Sequence, residues 1–209
     1  MLVNEPAATT EYYSAADIIA RCEVDFDFFC RVALPDVYTT SFPDFYIGVF
    51  WKIVDGTIKT RDLSKFAIGI PRAHAKTTWV KLVIAWLLIF SKKKYFLLIG
   101  SITKKAADII ADVMSILETD NMRALFGRWD ADTSKDSIEE KTFTFRGRKI
   151  TLMAAAPGGS VVRGTSKGFS RPDFILMDDM ITEADAKSPA VSEERYLWLH
   201  CLTASPRPP

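Results

Sequence analysis

At 209 residues the chain is long enough for one substantial α/β core. Its hydrophobic content of 48%, charged content of 25% and net charge of +1 exclude a globally basic nucleic-acid binder, so any such contact must be local. Cys22, Cys30 and Cys201 are odd in number and scattered, which excludes a disulfide framework, and with only His74 and His200 a zinc site is not expected.

Met1 to Ser14 is polar and lacks the cationic, apolar layout of a signal peptide. Ser14 is placed to cap a helix through about Cys22, and Asp25 to Ala33 reads as a second, aromatic-rich helix stopped by Pro35. Phe42-Pro43-Asp44-Phe45-Tyr46 opens a third helix, Asp44 to about Val54, closed near Gly56. Phe45, Val49, Phe50 and Ile53 recur on it at helical spacing, which means core packing or an aromatic stacked on a nucleotide base. Phe66 to Ile70 is an apolar run that predicts a buried strand. A short turn, Lys76-Thr77-Thr78 and a helix to about Ser91 follow. Trp79 to Phe90 is interrupted by Lys81 and is too short to span a bilayer, so it is expected as a buried helix with no membrane partner.

Lys92-Lys93-Lys94 marks a turn, as a solvated face or a DNA backbone contact, before a strand from Tyr95 to Gly100. Ser101 or Thr103 is expected to cap a helix to about Glu118 that buries Ile109, Ile110, Val113, Met114 and Leu117. Leu125 to Asp136 reads as an irregular polar segment. Thr142–Phe145 and Lys149–Ala154 read as short strands around Arg146-Gly147-Arg148, a hairpin signal. Ala156 to Ser170 is long for a plain connection and is a functional-loop candidate. Phe174 to Met177 predicts a second buried strand, ended by Asp178-Asp179, and Ser188-Pro189 starts a helix to about Leu202. Strands alternating with helices predict an α/β fold with a mainly parallel sheet and helices on both faces.

Strand, loop, Lys-Thr and helix is the plan of a P-loop, in which backbone N–H groups and a helix N-terminus face an anion. Here the loop would be Pro71, Arg72, Ala73, His74, Ala75, Lys76, Thr77 and Thr78. Lys76 would reach the β- and γ-phosphates of ATP, and the Thr77 hydroxyl would ligate Mg²⁺. The glycine pattern of a standard P-loop is not met, since Ile70 and Ala75 stand where glycines belong. A solvated lysine on an ordinary strand–turn–helix is the alternative. Asp178-Asp179 after an apolar strand has the form of a Walker B element. Asp178 is then assigned to the metal with Thr77, and Asp179 is the candidate base or water-orienting group. Arg72 is a cis candidate for the γ-phosphate and Arg163 a trans arginine finger, with a surface role the alternative for each.

These residues resemble the large terminase subunit of tailed bacteriophages, the ATPase that packs DNA into capsids. The resemblance rests on Pro71 to Thr78, on Val162-Arg163-Gly164, on Arg171-Pro172-Asp173 through Asp179, and on Phe42 to Tyr46. It implies a RecA-like P-loop NTPase fold over residues 41–204, with an N-terminal arm and helices over 1–40 and a linker-like tail over 205–209. It further implies ATP hydrolysis with Mg²⁺ and a base site flanked by Phe45 and Tyr46. The implied partners are double-stranded DNA, the portal protein and the small terminase subunit. The implied assembly is a homo-oligomeric ring, a pentamer, at the procapsid portal vertex in the host cytoplasm. The family's nuclease domain and its coupling motif are expected to lie outside this chain. A helicase-like P-loop ATPase is the alternative.

Overall fold

The computed structural model describes residues 13–59, 65–71, 74–157, 171–182, 185 and 187–203. Along them run α1 (Ala15–Val24), α2 (Phe26–Ala33), α3 (Asp44–Lys59) and α4 (Lys76–Phe90). Strand β1 (Tyr95–Ile99), α5 (Thr103–Leu117), α6 (Asp120–Phe126) and a 3₁₀ turn (Trp129–Ala131) follow. Strands β2 (Thr133–Asp136), β3 (Glu140–Phe145), β4 (Arg148–Ala155) and β5 (Phe174–Met177) come next, then α7 (Pro189–Thr203).

Local chemistry sets most of these boundaries. Ser14 and Asp17 form a reciprocal capping box at the start of α1. The Asp25 carboxylate accepts from the Phe28 amide and caps α2. Gly56 does not close α3, which runs on to Lys59; one glycine in a helix costs only about 1 kcal/mol. Neither Ser101 nor Thr103 caps α5; Ile102 occupies that position without a side-chain bond. The segment 125–136 is not irregular: it carries the end of α6, the 3₁₀ turn and β2, and is pinned by buried Phe126 and Trp129.

The sheet has the order β2-β3-β4-β1-β5. Strand β1 pairs in parallel with β4 and β5, whereas β3 pairs antiparallel with β2 and β4. The architecture is α/β as expected, but the sheet is mixed and not mainly parallel. The reason is the turn at Arg146-Gly147, where both residues take positive φ (50° and 74°). A two-residue loop of this kind can only return the chain antiparallel.

Helices cover both faces. On one side Phe96, Leu98, Ile150, Leu152 and Ala154 meet α4 and α5 in the main core, which α2 and α3 extend. On the other, Leu97, Ile99 and Ala155 pack with Trp198 of α7. Helix α4 buries residues all round its circumference, as its unbroken apolar run requires. Its one internal charge, Lys81, pairs with Asp112 of α5 at 2.5 Å. The expected stripe of α5 (Ile109, Ile110, Val113, Met114, Leu117) is buried throughout. Arg148 lies across the C-terminal end of α4 and donates to the carbonyls of Leu88, Ile89 and Ser91. Those carbonyls have no partner within the helix, so the guanidinium acts as a C-cap.

The Phe66–Ile70 run is not a strand. It is extended without ladder bonds, and Phe66 is 44% exposed. It joins no ladder, although β5 ends the sheet and pairs only with β1 among the described residues. Ile68 and Ile70 nevertheless pack against the main core. Among the described residues no helix is long and apolar enough to cross a membrane.

Candidate functional site

Helix α4 begins without a side-chain cap. Its N-cap, Ala75, is left-handed (φ 54°, ψ 23°), and its carbonyl accepts from the Trp79 amide at 3.0 Å. An alanine in that conformation is strained by about 1–2 kcal/mol. Lys76 leads the helix, and no side chain caps the amides of its first turn. Thr77 is exposed and Thr78 half-buried on the same turn.

The tip of β5 faces this helix start. The Asp178 amide continues the ladder by donating to the Ile99 carbonyl at 3.0 Å. Its carboxylate pairs with the Lys76 ammonium at 3.1 Å. The structure thus joins two motifs about a hundred residues apart in the sequence. Asp179, next along, is also left-handed (φ 49°) and pairs with Lys105 of α5 at 2.7 Å. Three described non-glycine residues have positive φ; one is in the β3–β4 turn and the other two are Ala75 and Asp179. Strain at both sides of one cleft marks it as a functional candidate. Helix α5 starts close against the end of β1: a Cβ at Gly100 would lie 3.2 Å from the Ala106 amide nitrogen and the Ile102 carbonyl oxygen, a tight fit.

Beside the helix start lies a cavity of about 410 Å³, lined by Tyr38, Ser41, Phe42, Tyr46, His74 and Thr78 among others. Tyr46 is buried, its ring packed against Phe42, Phe45 and Trp79, and its hydroxyl donates to the His74 carbonyl. Burial pushes the Tyr46 phenol above its ordinary pKa, while the Lys76 ammonium pulls it down. Tyr46 therefore braces the loop from inside. Phe45 is half exposed and stacks on Tyr46 with centroids 4.4 Å apart. On the far wall, the Tyr38 hydroxyl donates to Asp27 at 2.6 Å and accepts from the Phe42 amide at 2.7 Å.

His74, Ala75, Lys76, Thr77, Thr78, Asp178 and Asp179 thus fall at one end of the sheet, and Pro71 is exposed. Arg72, Ala73 and the Val162-Arg163-Gly164 loop lie outside the described residues. The donor set fits Mg²⁺ in outline: one carboxylate (Asp178) and one hydroxyl (Thr77) suit an ion that keeps waters and takes phosphate oxygens. Sequence reasoning missed Lys105, and it missed the role of Asp173. The two Asp173 oxygens accept from the Lys94 and Tyr95 amides at 2.9 and 3.0 Å, clamping the start of β5 to the start of β1. An Asp just before a buried strand was the only signal available for that clamp. No family model, curated protein or solved structure matches this chain.

Proposed function

We propose that the chain is the ATPase motor domain of a phage large terminase, with a RecA-like P-loop NTPase fold, that hydrolyses ATP to move double-stranded DNA into a procapsid. The observation that carries this reading is the 3.1 Å Lys76–Asp178 pair at the uncapped start of α4, beside a cavity of about 410 Å³. A cation, a helix N-terminus and a carboxylate converging on one cleft suit a nucleoside triphosphate with its metal.

Lys76 would exchange Asp178 for the β- and γ-phosphates, and the cavity would take the nucleoside end of ATP, with Tyr46 holding the loop. Thr77 and Asp178 would hold Mg²⁺, which when bound neutralises charge on the phosphate oxygens. Asp179 would orient a water and accept its proton as the water oxygen bonds the γ-phosphorus. The bond from that phosphorus to the β–γ bridging oxygen breaks, leaving ADP and phosphate. Arg72 is the proposed cis contact to the γ-phosphate, and Arg163 the proposed finger offered to a neighbouring subunit of a ring. Portal protein and small terminase subunit are the proposed partners at the portal vertex.

The test is phosphate release with and without duplex DNA, on the wild type and on Asp179→Asn. The variant is expected to bind Mg-ATP as the wild type does and to turn it over at least 100-fold more slowly. Unchanged turnover in Asp179→Asn removes the assigned base.

A further inference from the structure

Two basic stretches far apart in the chain meet at the end of the sheet opposite the Lys76–Asp178 pair. Tyr95 is in register with Thr151, and Phe96 with Phe174. The Thr151 amide donates to the Lys94 carbonyl at 2.7 Å, and the Asp173 amide to the Tyr95 carbonyl at 3.0 Å. Carried back to residue 93, both registers place Lys149 of β4 abreast of Lys93 and Arg171, which lie just before β1 and β5. At the usual strand spacing that is a rank about 10 Å wide. Lys92 and Lys94 flank it, and the Arg148 guanidinium reaches the Lys93 carbonyl at 3.4 Å.

The charges on this rank are not neutralised in the way of others on the molecule. Lys76, Lys81, Lys105, Lys135 and Lys141 each pair with a carboxylate. Among the described residues, Lys92, Lys93, Lys94, Lys149 and Arg171 form no ion pair. The carboxylate at this edge, Asp173, has both oxygens committed to backbone amides. Lys92, Lys94, Lys149 and Arg171 are exposed and Lys93 is half-buried. The exposed large hydrophobic side chains among the described residues all lie elsewhere, so the edge lacks what an insertion into a lipid surface needs.

We propose that this edge binds the phosphate backbone of double-helical DNA, at a surface separate from the nucleotide cleft. A rank about 10 Å wide spans about three phosphates at 3.4 Å per residue of one strand. Lysine and arginine both bond phosphate oxygens, and such backbone contacts hold a duplex without reading its sequence. The choice of duplex DNA over other polyanions rests on the motor reading; the cationic edge does not.

The test is fluorescence anisotropy with a labelled 30-base-pair duplex across a salt series. The triple variant Lys93→Ala/Lys149→Ala/Arg171→Ala is expected to bind at least tenfold more weakly at low salt. Its slope of log affinity against log salt should flatten by about 2–3, near 0.9 for each phosphate contact removed. Lys92→Glu/Lys94→Glu, which spares the strands, is expected to weaken binding too, with an unchanged circular dichroism spectrum. Lys135→Ala/Lys141→Ala should leave the slope as it is. A wild-type slope retained in both edge variants overturns the proposal. Tighter binding of polyglutamate than of duplex also overturns it, by assigning the edge to an acidic protein. Fluorescent ADP binding is read on the same samples: its absence from the wild type refutes the nucleotide site and leaves the duplex result standing.

Discussion

Replacing Lys76 by alanine separates what the Lys76–Asp178 pair does for the fold from what Lys76 does for a nucleotide. The two side chains are 38% and 20% exposed, so the pair is partly solvated and contributes at most about 1 kcal/mol. For a domain of this size that is a fall in Tm of about 2–4 °C. A lysine bonded to phosphate is a charge-assisted contact of about 1.5–3 kcal/mol, so nucleotide affinity should fall on the order of 10- to 100-fold. Asp178→Asn is the complementary variant. It releases Lys76 and removes a negative charge from beside the phosphates. Without magnesium it should bind ADP as tightly as the wild type or more tightly, and added magnesium should no longer improve binding. Both are read by titration of a fluorescent nucleotide with and without excess Mg²⁺. Nucleotide affinity within twofold of wild type in Lys76→Ala, or a retained magnesium dependence in Asp178→Asn, refutes the reasoning.

Three further predictions follow from single contacts. Tyr46→Phe keeps the ring packing and loses the bond to the His74 carbonyl, so stability should drop by about 1 kcal/mol. Its nucleotide affinity should drop several-fold, and an affinity equal to wild type would show that the brace does not shape the loop. Asp173→Ala strands the Lys94 and Tyr95 amides and should cost about 2 kcal/mol in urea unfolding, with Asp173→Asn recovering part because one oxygen remains. Asp17 has its folded pKa lowered from 3.8, chiefly by its bond with the Ser14 side chain. Its contribution to stability is therefore present above pH 3.8 and is lost as pH falls through the folded value. Asp17→Asn should flatten that acid limb, and an acid limb identical to wild type would remove the capping box as its source.

The elements carried by local chemistry were legible in the sequence. Ser14 and Asp25 announce α1 and α2, and the Arg146-Gly147 turn announces β3 and β4. What the sequence could not carry was pairing. Phe66 to Ile70 has the composition of a buried strand, yet it joins no ladder although β5 ends the sheet with an open side; composition favours a strand but does not name a partner for it. The same limit applies to the mixed sheet, since helix–strand alternation does not say that a hairpin will add two antiparallel strands at one side. At the site, the Lys-Thr and Asp-Asp pairs were visible as motifs. Lys105 was not, because its contact depends on how α5 packs beside the tip of β5, which is a property of three dimensions.

The two acidic residues at the tip of β5 each face a different lysine, and this has a consequence under the proposed function. Lys76 holds Asp178, the proposed metal ligand, and Lys105 holds Asp179, the proposed base. Phosphates entering the cleft compete with Asp178 for Lys76, which frees that carboxylate as the metal arrives with the nucleotide. The Lys105–Asp179 pair is a separate contact, and phosphates that take Lys76 from Asp178 do not by that exchange open it. Binding and hydrolysis are then separable steps: the first breaks one ion pair, and the second requires the other to open. Lys105→Ala should therefore change turnover while leaving nucleotide affinity within about twofold, since an exposed pair contributes under 1 kcal/mol to the fold. A parallel loss of affinity and turnover in that variant would place Lys105 on the phosphates and not on Asp179.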